Sequence, residues 1–416
     1  MNVFFQPLKK FTLLELSILL CFLLPPVGIL ILLIIGLYTI YTQWIIKKRF
    51  TFTLFSYFFL SLFIATVGAT ISLKEISYIG ISVMILGYWG LYSRILETEK
   101  NQLFKHYRMI IIFGGCYSCV IGWISKLITF PLVLSYLTGT VLFGEDTRKD
   151  YDRLIGCEYN PNFTVYILLI ATSFLFANLL TNLRNKQFVK SMWQISLILV
   201  LSFGVIQTGS RAGFASMVLI YFLFIYRLNR DVFFISTIIG ISLSKWLLHV
   251  MPRSESVIQA SEIRQEIWKK AISIWQDHPF FGVTPIGFGQ EYLQHYNEYV
   301  PHAHNVFIGI FVEYGTLGGL AFLCVIIINL VKFIQLFFSI RNKKSLLNNY
   351  LLSLPIILLT GVFDEPLFSP QIGFLTVILL ACWDKYTKRI HLAEFPSLSR
   401  INHWIYLHVL APKDQS

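Results

Sequence analysis

The chain has 416 residues and a formal net charge of +12, yet only 13% of it is charged, while 56% is hydrophobic and 16% aromatic. Soluble proteins carry roughly 25% charged residues, so a soluble globule, a nucleic-acid-binding domain and a disordered tail are all excluded. About twelve spans of ~20 residues would fill ~240 positions, close to the hydrophobic share of the chain, and apolar runs this long leave no period-2 barrel pattern.

Taken in chain order, Lys9-Lys10 precede a first apolar run that ends at Pro25-Pro26 without a small-residue cleavage site, which reads as an uncleaved span. Apolar runs fall at 11–24, 27–46, 52–72, 76–93, 109–128, 163–182, 190–207, 212–226, 232–249, 305–340, 349–363 and 370–384. The stretch 126–143 holds Lys126 and Pro131 and reads as interfacial or re-entrant. The run 305–340 is too long for one straight crossing and predicts a tilted span or one that extends past the bilayer. With the N-terminus inside, the basic clusters Lys47-Lys48-Arg49, Arg94 to Arg108, Arg184 to Lys190, Arg227/Arg230, Arg341 to Lys344 and Lys385 to Lys413 all face the cytoplasm. The short outer loops contribute only Lys74. Position thus gives the positive charge its meaning: it orients spans, and the tail adds contact with anionic inner-leaflet lipid. Five of the six cysteines sit inside apolar runs, so no disulfide framework is implied, and Cys116/Cys119 read as packing residues.

The predicted fold is therefore all-α: a polytopic integral membrane protein of about twelve transmembrane helices, with both termini inside. Residues 1–249 form helices one to nine, interrupted by an outer loop at about 129–162. A large outer loop covers 250–304, residues 305–384 form helices ten to twelve, and 385–416 is an inner tail. Within the large loop Ile263, Ile267, Ala271 and Ile274 recur at helical spacing with Trp268 and Trp275 beside them. Such a stripe suits a helix lying on the outer membrane–water interface.

Polar chemistry collects on this outer side. Arg211 follows Thr208-Gly209-Ser210 at the outer end of a span. A cation at that depth is costly unless it meets an anion or snorkels to the interface, and the flanking Gly209 and Gly213 leave room for a bulky group. His249, His278, His295, His302 and His304 all fall outside, as do Arg253 and Arg264. His304 and Asn305 open a span directly after the polar loop, where helix N-terminal amides favour anions. An imidazole there is either a structural interfacial group or a general base working near neutral pH. Gly315, Gly318 and Gly319 follow at a spacing that allows close helix contact.

These elements resemble a known family. The HN-x9-GxxG pattern from His304 to Gly318 is similar to the signature of O-antigen ligases (WaaL) and the related Wzy polymerases. TGSRAG at 208–213 looks like their basic motif at the end of a mid-chain span, and RQEIWKKAISIWQDHPFFG at 264–282 like the loop segment that carries an essential arginine. Arg153-Leu154-Ile155-Gly156 followed by Asn160-Pro161-Asn162 looks like a further element. Order, spacing and topology agree over about 150–320; the first 150 residues match only in hydropathy.

The resemblance implies a bacterial inner-membrane glycosyltransferase that moves a glycan from undecaprenyl diphosphate to a lipid A–core hydroxyl on the periplasmic face. It needs no cofactor and no metal, and no nucleic acid is involved. On that reading His304 activates the acceptor, Arg211 and Arg264 hold the donor diphosphate, and Ser210, Asn305, His302 and Arg153 are supporting candidates. The residue types fit independently, because a guanidinium stays charged and forks onto phosphate oxygens. Asp150-Tyr151-Asp152 is a DxD that could hold a divalent cation but stands in a mixed-charge loop. Asp364-Glu365 could act as base, orient an arginine or balance the cationic pocket. Alternative functions are a Wzy-type polymerase, a protein O-oligosaccharyltransferase, for which the chain is short, and a secondary transporter, which would place its charges at mid-membrane instead.

Overall fold

In a computed structural model, residues 11–49, 52–98, 102–128, 130–142, 152–253, 255, 257–338 and 345–390 are described. They form helices α1 (Leu13–Leu23), α2 (Pro25–Ile40, continued by a π-helical turn to Ile46), α3 (Leu54–Leu73), α4 (Ile79–Glu97), α5 (Gln102–Leu127), α6 (Leu132–Thr138), α7 (Pro161–Arg184) and α8 (Phe188–Gln207). These are followed by α9 (Arg211–Leu228), α10 (Arg230–Ser242), α11 (Ser244–Val250), α12 (Val257–Asp277), α13 (Thr284–Tyr296), α14 (Val306–Phe338), α15 (Ser345–Gly361) and α16 (Pro370–Arg389). No strand occurs among the described residues. The inner tail from 391 and the basic cluster 341–344 lie outside them, as do Lys9-Lys10 and Asp150-Tyr151.

Among the described residues, eight helices are long and apolar enough to cross a membrane: α2 with its π-helical turn, α3, α4 with the 3-10 turn before it, α5, α7, α8, α9 and α14. The remaining apolar runs are shorter or broken. Leu24 and Pro25 stop α1 after 11 residues, because proline at the next helix's first position fits there but cannot extend the preceding helix. The run 232–249 is divided at Leu243 into α10 and α11. Past the end of α5 at Leu127, the described residues of the stretch 126–143 hold the seven-residue α6.

At the centre stands α7, enclosed around nearly its whole circumference by α5, α8, α9 and α15. Its sequence is apolar on every side, as a helix with no lipid-facing stripe requires. Elsewhere small residues let helices cross closely: a Cβ on Gly36 of α2 would run into the backbone of Gly87 on α4.

The long run 305–340 does not tilt as one rod. It breaks at Gly315, whose φ of 62° and ψ of −170° lie outside helical space. This conformation is nearly closed to residues with a Cβ. The turn after α12 fills the break: Thr316 donates its backbone N–H and its hydroxyl to the Pro279 carbonyl, both at 2.7 Å, and Val283 N–H bonds the Val312 carbonyl at 3.0 Å. The glycines of GTLG thus serve a meeting of loop and helix, and a Cβ on Gly315 would strike the Phe280 carbonyl. Gly315→Ala is expected to lower stability by about 1–3 kcal/mol, read from thermal unfolding in detergent.

Three of the four stripe residues on α12 are covered by protein, while Ile263 stays exposed. Ile267, Ala271 and Ile274 pack with Val283, Phe288, Tyr292, Val300 and Val312 into a small second core. Periodicity shows that a face must be covered and leaves open whether lipid or protein covers it, so the interfacial placement gives way to a layer docked on the first turns of α14. Lys270 fastens this layer through Glu266 at 2.8 Å, Glu298 at 3.6 Å and the faces of Tyr292 and Tyr296.

Candidate active site

TGSRAG is a helix-to-helix joint. Thr208 caps α8, Gly209 takes a left-handed φ of 63°, and Ser210 caps α9 by accepting the Gly213 N–H at 3.2 Å. Arg211 is consequently the first residue of α9, where free backbone amides already favour an anion. Two further guanidiniums hold the joint. Arg153 donates to the Thr208 carbonyl and to Asn162 Oδ1, each at 2.7 Å, with its stem against Gly209, while Arg253 donates to the Gly209 carbonyl at 3.0 Å. Ser210 and Arg153 therefore build the turn that aims Arg211. One guanidinium nitrogen of Arg211, Nη1, is buried with no hydrogen-bond partner. The charges of Arg253 and of Arg264, from the first half of α12, both bear on it. Three cations drawn together at a helix N-terminus make a site for an anion of more than one charge.

The histidines adjoin this cluster, since the Arg264 charge also bears on His302. His304 adopts a left-handed φ of 53°. Asn305 then caps α14: its Oδ1 accepts the N–H groups of Phe307 at 2.9 Å and Ile308 at 3.2 Å, and its amide donates to the Val362 carbonyl at 2.9 Å. That last bond brings in the loop after α15. On this loop one carboxylate oxygen of Asp364 lies 3.3 Å from His302 Nε2, 3.3 Å from His304 Nδ1 and 2.9 Å from the Glu365 N–H, and the two imidazole rings are 4.3 Å apart. Asp364 and His302 are buried, whereas the His304 side chain keeps 27% exposure.

Burial alone would raise the Asp364 carboxyl. The hydrogen bonds and charges of His302 and His304 more than reverse that and hold it well below the usual range. Burial pushes the His302 imidazole down, against the pull of Asp364. An ionised carboxylate can only accept hydrogen bonds, so the histidine nitrogens facing it carry the protons. In His304 this leaves the Nε2 lone pair free, the arrangement a general base needs. His302 Nδ1 is buried without a partner.

His302, His304 and Asp364 each offer a ligand atom, all within 4.8 Å of one another, and so could grip a metal ion. Their protons already point at Asp364, and guanidinium charge faces the same space, which favours an anion over a divalent cation. Of the DxD only Asp152 is described, and its side chain is fully exposed beside Lys126.

Arg211, Arg264 and His302 are thus brought into one electrostatic neighbourhood, which His304 joins through Asp364, with Ser210, Asn305 and Arg153 in structural support. Asp364 orients the two imidazoles. Arg253, one of the outer cations in the sequence, here clamps the joint beside Arg211.

Asp364→Asn would present an amide where two N–H groups need an acceptor. We expect transfer to fall about tenfold or more, by the same loss of tautomer control seen when a triad aspartate is removed. The sign with pH follows from the depressed carboxyl. Its stabilisation is fully present above the ordinary aspartate value of about 3.9 and is lost as pH falls through the lower folded value, so unfolding scans should separate the variant from the parent above pH ~4 and bring the two together as pH falls below it.

Residues 195–323 match the family model described as Wzy_C, O-antigen ligase. The match opens inside α8, takes in the TGSRAG joint, α12, α13 and the His304-Asn305 pair, and closes past Gly319. Arg153, Asp364 and Glu365 lie outside it. No curated protein matches the chain.

Proposed function

We propose that this chain, which belongs to the O-antigen ligase/Wzy family, is an O-antigen ligase of the bacterial inner membrane. On this reading it carries a glycan from undecaprenyl diphosphate to a lipid A–core hydroxyl at the periplasmic face. Twelve crossings with both termini in the cytoplasm, and the 250–304 segment outside, go with it. The observation that carries the reading is the His304 imidazole oriented by Asp364 at the start of α14, together with the unpartnered Arg211 guanidinium at the start of α9.

Chemically, His304 Nε2 takes the proton of the acceptor hydroxyl as its oxygen attacks the anomeric carbon. The bond from that carbon to the diphosphate oxygen breaks, and the diphosphate departs with the electron pair. Arg211 and Arg264 meet the charge that grows on it, and fixed cations are most effective where charge develops during the step. One displacement inverts the anomeric centre, and no step calls for a metal. His302 steadies Asp364, while Ser210, Asn305 and Arg153 hold the frame.

The test is purified protein with lipid-linked glycan and either lipid A–core or a second lipid-linked repeat. Glycosylated core, formed equally well with a chelator present, supports the ligase. Lengthened lipid-linked chains with bare core would establish the polymerase alternative instead.

A further inference from the structure

A second group of arginines gathers at the far end of α9 from Arg211. The helix has 18 residues, so about 27 Å separates its two ends, and on the proposed topology this end is the inner one. Arg227 stands in the last turn of α9. Its Nε and Nη2 donate to Asn348 Oδ1 of α15 at 3.2 and 2.9 Å, and its Nη1 donates to the Phe337 carbonyl of α14 at 3.2 Å. Asn348 is fully buried, and its own Nδ2 has no partner. Arg184, in the last turn of α7, donates from Nη2 to the Arg227 carbonyl at 3.4 Å.

Arg230, the first residue of α10, completes the group. Its guanidinium lies over the Tyr226 ring at 5.6 Å, as that of Arg227 lies over Phe337 at 5.9 Å, and these two rings stack on each other with centroids 5.1 Å apart. Every partner in this set is neutral. Among the described residues none of the three arginines forms an ion pair, not even Arg230 with its neighbour Asp231. Orienting a span calls only for positive charge near the inner loops, which exposed lysines supply. Guanidiniums fixed on ring faces and carbonyls, with like charges together and no carboxylate between them, are suited to fork onto a phosphate. The ground beside them is apolar and open. Leu228, Val232, Phe234, Ile235 and Phe338 are exposed, and α10 buries none of its residues.

We propose that Arg184, Arg227 and Arg230 form a binding site for the phosphate of an anionic phospholipid of the inner leaflet, whose acyl chains run along α10 and Phe338. Arg227 is the fixed member, and Arg184 and Arg230 are exposed on either side of it. A soluble phosphate would satisfy the cations and leave the apolar surface bare, whereas a lipid covers both. The site shares no residue with the candidate active site and holds whichever transfer the chain performs.

Native mass spectrometry of the whole chain, with phosphatidylglycerol, phosphatidylcholine and inorganic phosphate as separate probes, tests this. The wild type is expected to retain one phosphatidylglycerol about tenfold or more better than phosphatidylcholine, whose choline brings a further cation toward the arginines. In R184A/R230A the preference is expected to fall about tenfold. In K47A/R49A, which removes two exposed cations from another inner loop, it is expected to persist. Should the double arginine variant unfold, R230A alone is expected to lose about fivefold. Equal retention of the two lipids by the wild type overturns the site. So does an unchanged preference in R184A/R230A, or in R230A if that must stand in for it. A loss as large in K47A/R49A reduces the effect to general surface charge and overturns it too. Inorganic phosphate that displaces phosphatidylglycerol at equal concentration overturns the lipid in favour of a soluble anion.

Discussion

Transfer by the His304→Ala protein is expected to fall roughly 10²–10⁴-fold, the range that a positioned proton acceptor contributes, while donor binding stays within a few-fold of the parent. The two readouts separate chemistry from grip. On the proposed reading the imidazole serves the acceptor hydroxyl, whereas the diphosphate would be held from α9 and α12. His302 cannot take over, because burial lowers its imidazole and its second nitrogen is sealed away from the opening. Near-parent transfer by His304→Ala would remove the residue from the chemistry. The left-handed backbone at His304 is a separate constraint. His304→Asn tolerates that φ better than alanine does, so equal losses in the two variants would assign the effect to the lost ring rather than to the turn.

Arg211→Ala should act on both quantities. We expect a loss of about 10²–10³ in kcat, the usual cost of removing one charge-stabilising donor, together with weaker donor binding. Arg211 opens a helix and its Nη1 has no protein partner, so its removal leaves few internal contacts unmet and the fold should survive. Arg211→Lys restores the charge without the fork, and is expected to recover binding more than rate. If Arg211→Ala binds and transfers as the parent does, the anion lies elsewhere.

Much of the frame was legible in the residues. Apolar runs of span length announced a membrane protein, and TGSRAG and His304-Asn305 announced helix starts at its outer side. Both prove to be capping joints, since Ser210 and Asn305 each satisfy the first free amides of the helix that follows. The count of spans was less legible: Leu24-Pro25 and Leu243 shorten runs whose hydropathy alone is continuous, and among the described residues eight helices pass by length and composition where twelve runs were read. The α12 stripe fits lipid or protein equally well until its partner is known. Asp364 stands sixty residues from His304, joined to it by a capping amide that no spacing rule connects. Arg227 reads as one cation of an inner loop, and Arg253 as one of several outside. Their company is tertiary, and periodicity carries no information about it.

The break at Gly315 divides α14 by allegiance. The turn after α12 bonds both sides of the break, at the Val312 carbonyl and at Thr316, and so ties the start of α14 to the layer that carries Arg264. Residues 316–338 answer to the bilayer. One helix thereby takes its direction twice, first from the protein layer packed on Val312 and then, past residue 315, along its apolar length.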